Sequence, residues 1–284
     1  MAGYGRGIYG VLADREYSED EKGREKESIM RKNIALLLEY DGSRYEGWQR
    51  QGNTDHTIQG KLEQVLEKMT GAFKEVHGSG RTDAGVHALG QVANVHLDTS
   101  MSENEIQDYL NQYLPEDIRA LEIKSVPERF HSRLWAREKL YTYWIDMDEK
   151  SSVFQRKYIY TLGQKLNIEL MRQSAEYLCG THDFSGFCTG GNKKKSTVRT
   201  LKSVEMVSHE SQLEIRMAGD GFLYNMVRII TGTLIETGQG RRKPESVVEI
   251  LERGDRKLAG FTAPAKGLFL TSVVYDTPIF RKNR

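Results

Sequence analysis

Cysteine is almost absent from this chain. Only Cys179 and Cys188 occur among 284 residues, nine positions apart and without a CxxC pair. That excludes a disulfide scaffold and offers no zinc motif; a reduced, cytoplasmic setting is the expectation. Long apolar runs are missing as well. Stretches such as "IALLL" at 34–38 fall well short of the roughly 18 residues a membrane helix needs, and no apolar targeting segment opens the sequence. Charge of one sign is missing too: 41 Lys and Arg stand against 40 Asp and Glu, a formal net charge of +1. A protein that wraps nucleic acid through bulk charge is far more basic. Any grip on a polyanion must therefore be local.

What is present fits an ordinary globular protein, with 38% hydrophobic and 29% charged residues. Residues 1–32 stand apart, passing from "GYGRGIYG" to the mixed-charge run "DREYSEDEKGREKES" without an apolar period, which predicts a flexible extension. A strand at 34–42 ends in the turn signal Asp-Gly. Ile58, Leu62, Leu66 and Met69 keep a helical rhythm over 57–70. Ser102 and Glu105 form a capping box for a helix reaching Leu114, and a strand near 119–126 follows. The pattern then restarts, with a strand at 139–147, a helix from Asn167 to Gly180, and an antiparallel pair at 198–208 and 211–218. A helix at 224–238, another opening at Pro244, and a strand at 268–276 complete it. The predicted fold is α+β, in two similar halves with mainly antiparallel sheets meeting at a central cleft. The N-terminal half covers 33–131 and the C-terminal half 132–284.

One stretch stands out. "HGSGRTDAGVHALGQVANV" at 77–95 places Arg81 and Asp83 inside a glycine-rich loop that opens onto a strand. A dinucleotide cradle needs GxGxxG, but Asp83 occupies the third glycine's place and would repel pyrophosphate. A metal site built from Asp83 with His77, His87 and His96 lacks paired ligands. A plain turn is the strongest alternative, because an Asp side chain readily bonds turn amides. Arg81 tips the balance: an arginine two residues away can hold a carboxylate ionised for work as a nucleophile or base.

Several blocks in register then resemble one family. "LEYDGSRYEGWQRQ", "GRTDAGVHALGQV", "LPEDI", "FHSRLWAREKLYTYWI", "HDFSGF", "GDGFLYNMVRIITGTLIETG" and "APAKGLFLTSVVY" are similar, in that order, to the TruA family of tRNA pseudouridine synthases, over about 33–276. The resemblance implies that Asp83 is the catalytic aspartate and Arg81 its paired arginine. Tyr141 would stack on the target base, and Arg228 would reach the aspartate from the second half. It further implies the pseudouridine synthase fold, a homodimer, tRNA as substrate, and neither cofactor nor metal. The target would be uridines at positions 38 to 40 of the anticodon arm.

The residue types suit that chemistry. Uridine must break its N1–C1′ bond, turn, and rejoin through C5, so nothing is oxidised or hydrolysed. One carboxylate can attack C1′ or remove a ribose proton, and Arg81 and Arg228 would meet developing charge. Each residue has a plainer role available: Tyr141 and Tyr143 could merely pack, and Arg228 could be a surface arginine. The run at 191–202, with Lys193, Lys194, Lys195 and Arg199, reads either as a solvated loop or as a phosphate grip. Alternatives to the main expectation are a paralogue acting on another tRNA uridine, a non-catalytic tRNA-binding module, and a metal-dependent nuclease.

Overall fold

A computed structural model of the chain describes residues 29–52, 54–190 and 196–281. Most of the expected extension, and Lys193, Lys194 and Lys195, lie outside the described residues. In chain order the first part forms β1 (Met30–Tyr40), α1 (Ile58–Thr70), β2 (His77–Gly78), β3 (His87–Thr99), α2 (Glu103–Tyr113) and β4 (Ile118–Val126). The second forms β5 (Ala136–Asp146), β6 (Tyr160–Thr161), α3 (Ile168–Glu176), β7 (Gly180–Asp183), β8 (Val198–His209), β9 (Gln212–Gly219), α4 (Met226–Gly238), α5 (Ser246–Arg253) and β10 (Leu268–Tyr275). No helix among the described residues is long and apolar enough to cross a membrane.

The architecture is α+β, and the strands share one sheet in the order β4-β1-β3-β10-β5-β9-β8-β7. β10 makes it continuous. It runs antiparallel to β5, and parallel to β3 through Phe269 opposite His87 and Leu270 opposite Ala88. The strands therefore form one sheet across the region where two separate sheets were expected. The remaining pairs are antiparallel apart from β5 with β6.

β1 lies between β4 and β3 and buries every residue from Ile34 to Leu38. A strand covered on both faces has no need to alternate, which explains its unbroken apolar run. Its first three residues, Met30, Arg31 and Lys32, pair with Thr99, Asp98 and Leu97. The extension therefore ends before residue 30, three residues short of the expected boundary; backbone pairing continues there without burying an apolar side chain. The predicted capping box is made, with the Ser102 hydroxyl accepting from the Glu105 N–H and the Glu105 carboxylate accepting from the Ser102 N–H at 2.8 Å. α2 packs on β4, and α3 packs on α4. The short strands β2, β6 and β7 were not predicted, because two to four residues carry no readable period.

Candidate active site

The loop joining β2 to β3 is pinned to the chain that follows β1. Gly78 lies flat against the Trp48 indole, and any side chain there would overlap the ring. The Ser79 hydroxyl donates to Gln91 at 2.6 Å, and the Gln91 amide donates to the Gly80 carbonyl at 2.9 Å. Thr82 turns inward, sharing a 2.9 Å hydrogen bond with the Tyr40 hydroxyl, while its carbonyl accepts from the Trp48 N–H. Asp83 then opens a turn closed by the Val86 N–H on the Asp83 carbonyl, with Gly85 supplying the positive φ of 76° that the turn needs. The turn uses the Asp83 backbone. Among the described residues its carboxylate accepts nothing from the turn amides, so the plain-turn alternative leaves the side chain unexplained.

That carboxylate faces a cavity of about 420 Å³. Across it, Arg228 near the start of α4 brings Nη1 to 3.6 Å from Asp83 Oδ2. Arg228 is itself fixed: Nε donates to the Ala263 carbonyl at 2.7 Å, and Nη1 donates to Asn225 Oδ1 at 2.8 Å. Asn225 precedes the helix with φ 61°, a left-handed conformation that asparagine tolerates better than most residues, and its amide also donates to Thr189. This residue delays α4 to Met226, two residues after the expected start. Burial pushes the Asp83 carboxyl above the ordinary carboxylate range, and the Arg228 charge pulls back against it without overcoming it. Asp83 is thus a raised but compensated carboxylate. Loss of its proton makes a base or nucleophile stronger than an exposed aspartate.

Tyr141 on β5 lines the same cavity. Phe222 meets its ring edge-on at a centroid distance of 5.0 Å. Burial, and then the neighbouring Tyr40 and Asp83, push its phenol far up, so the hydroxyl stays protonated. Tyr143, on the same face of the strand, is outside the cavity wall and donates to the Pro264 carbonyl at 2.7 Å. The two tyrosines separate into one at the site and one in the packing.

Arg81 requires a correction. It is exposed on the cavity rim and forms no ion pair with Asp83; among the described residues Arg228 holds that place. Thr82, between them, is buried against Tyr40, and although both residues line the cavity they do not come into ion-pair contact. Arg199 at the start of β8 does reach the cavity. The reading of residues missed further cavity groups, among them Arg133, Lys139, two positions before Tyr141 on the same strand face, and Asn225. For Lys139 that strand alternation was the available signal; the conformation of Asn225 left none. Among the described residues five cations, Arg81, Arg133, Lys139, Arg199 and Arg228, line the cavity against the single carboxylate of Asp83. On a chain of net charge +1, this is a strongly local concentration, suited to an anionic substrate.

Residues 36–133 and 174–276 match the family model described as tRNA pseudouridine synthase. The chain belongs to that family. Among curated relatives, the tRNA pseudouridine synthase A of Bacillus sp. (strain KSM-64) is 49% identical over 243 residues, covering 86% of this chain and 99% of that protein. The tRNA pseudouridine synthase A of Clostridium kluyveri is 48% identical over 244 residues, covering 86% and 100%. The tRNA pseudouridine synthase A 2 of Bacillus anthracis is 45% identical over 243 residues, covering 86% and 99%. In this pseudouridine synthase family member, the first matched segment carries Asp83 and the second carries Arg228. The cavity is where the two meet.

Proposed function

We propose that the protein isomerises uridine to pseudouridine in tRNA, with Asp83 as the catalytic residue and the anticodon arm as target. The observation that carries this is a lone carboxylate, paired across a cation-lined cavity by an arginine that other bonds already hold in place. A cavity of about 420 Å³ lies within the range of ligand pockets, roughly 300–1,000 Å³, and suits one nucleoside. The target base leaves its stack at a cost of a few kcal/mol and is received beside Tyr141. Ionised Asp83 then either attacks C1′ or removes a ribose proton; both routes need the charged form. The N1–C1′ bond breaks, the base turns, C5 bonds to C1′, and the C5 proton departs as N1 gains one. Arg228 meets the charge that develops, preorganised by Asn225 and Ala263 so that little rearrangement is needed.

The proposal extends to organisation. Strands β4, β1 and β3 come from residues before 132 and β5, β9, β8 and β7 from residues after it, with β10 between them. The family match is also split in two. Both support two halves, 33–131 and 132–284, that build the site together. A homodimer in the cytoplasm belongs to the same proposal, and the free Cys179 and Cys188 are in keeping with a reducing compartment.

Incubating the protein with unmodified tRNA and mapping pseudouridine tests the function. Asp83→Asn keeps the shape of the side chain but can neither attack nor take a proton. The expected result is product in the anticodon arm with the wild-type protein, and none with the variant, which still binds tRNA. Substantial product from Asp83→Asn would remove Asp83 from the catalytic role.

A further inference from the structure

Lys139 is a cation for which the reaction just described has no use. It shares a face of β5 with Tyr141, and its side chain enters the same cavity. Its ammonium donates to the Ser79 carbonyl at 2.7 Å. A lysine carries three donors, so two N–H groups remain, and among the described residues no carboxylate pairs with it. Its neighbours make matters worse. Arg133, ahead of β5, and Arg199, on β8, repel it, while Asp220, beyond β9, is the one acid that acts in its favour and already accepts from the Thr200 N–H at 3.0 Å. Opposite it, Gly219 of β9 and Val273 of β10 bring no charge, and Gly80 lies close to Nζ. Burial, with the two arginines, draws the ammonium down to about 8.

Three cations brought together with no carboxylate in an ion pair with any of them, among the described residues, raise one another's energy. We infer that Lys139, with Arg133 and Arg199, forms a seat for one phosphodiester of the RNA substrate, the linkage adjoining the target uridine. The inference rests on the proposal that the target nucleotide enters this cavity. A phosphodiester supplies the missing anion and offers two oxygens to the free N–H groups of Lys139 and to the arginine forks. Its charge also favours protonated Lys139, so RNA binding above pH 8 takes up a proton. The sign follows: affinity is full below about pH 8 and falls as pH rises, since the free protein is then increasingly deprotonated at Lys139.

The test uses the full-length protein and three tRNAs: one unaltered, and two carrying an uncharged methylphosphonate at the linkage on one side or the other of the target uridine. Binding is measured by rapid filtration, before turnover. The wild-type protein is expected to bind one of the two altered tRNAs about tenfold less tightly, the scale of one charge-assisted hydrogen bond. Lys139→Met, which keeps the apolar stem, loses about the same on unaltered tRNA and is then less sensitive to that linkage, which Arg133 and Arg199 still meet. Lys139→Arg keeps the charge and abolishes the fall in affinity above pH 8. Should Lys139→Met fail to fold, the altered tRNAs and the pH series on the wild-type protein still decide. Equal affinity for both altered tRNAs, or a Lys139→Met whose loss is the same at either linkage, overturns the seat. Conversion of the unaltered tRNA by the wild-type protein is scored in parallel, so failure of the proposed reaction is seen separately from failure of the seat.

Discussion

Replacing Arg228 by methionine is the sharpest perturbation of this site, since it removes the cation and leaves the shaft that packs in α4. At 3.6 Å and an effective dielectric of about 20, Coulomb's law puts the attraction between Arg228 and ionised Asp83 on the order of 4–5 kcal/mol. Both side chains are mostly shielded, at 17% and 15% exposure, so little of that is screened by water. Part of it offsets the desolvation of Asp83, which the variant leaves unopposed. A net loss of roughly 3–4 kcal/mol in the transition state corresponds to roughly 10²–10³ in rate, the scale for deleting one preorganised electrostatic partner. The pH profile supplies a second measurement. Asp83 already titrates above the ordinary carboxylate range because burial outweighs Arg228. Without Arg228 its carboxyl moves further up, so the acid limb of the single-turnover rate shifts to higher pH. The assay is tritium release from tRNA labelled at C5 of uridine, at saturating tRNA, across the pH range. A variant within tenfold of wild type, with its acid limb unmoved, would refute the electrostatic argument. Thermal unfolding controls for the lost hydrogen bonds to Ala263 and Asn225.

Tyr141→Phe should still hold the base, whereas Tyr141→Ala should lose roughly 1–3 kcal/mol of stacking; equal, near-normal tRNA affinity and rate for both would return Tyr141 to packing. Asn225→Gly keeps the left-handed backbone but frees Arg228, and should slow turnover about tenfold or more while the melting temperature changes little. Asn225→Ala should slow turnover similarly and also lower the melting temperature, because alanine bears roughly 1–2 kcal/mol of strain at that φ. Gly232→Ala would drive a methyl into the Phe261 carbonyl where α4 meets that segment. An expected cost of roughly 1–3 kcal/mol should appear as a lower melting temperature, with catalysis in the surviving folded fraction little changed.

Much of this architecture was legible in advance, for physical reasons that differ between elements. α2 announced itself twice, through the Ser102–Glu105 box and through its apolar spacing, and both describe local chemistry that the sequence displays directly. β8 and β9 were legible because adjacent strands need only a short turn, made here at Glu210 with φ 53°. Asp83 and Arg228 were found through motifs rather than through energetics, since nothing local in either segment says that they face each other. The same limit explains Arg81: a pair two residues apart looks inevitable, yet with Thr82 between them bonded to Tyr40 no ion pair forms. The union of the strands into one sheet was hidden because it depends on a parallel contact of two residue pairs between β3 and β10, far apart in the chain.

That last contact also has a bearing on time. β10 is synthesised after the other described strands of the sheet, yet its place is in the middle, between strands made much earlier. Until it arrives, the facing edges of β3 and β5 present unpaired backbone, the kind of surface that recruits other growing chains. The reactive cavity is equally incomplete, for its wall includes Leu268 at the start of β10. A nascent chain can therefore hold Asp83 in its finished loop and still lack part of the cavity that Asp83 faces. Only when β10 takes its place between β3 and β5 is that wall complete.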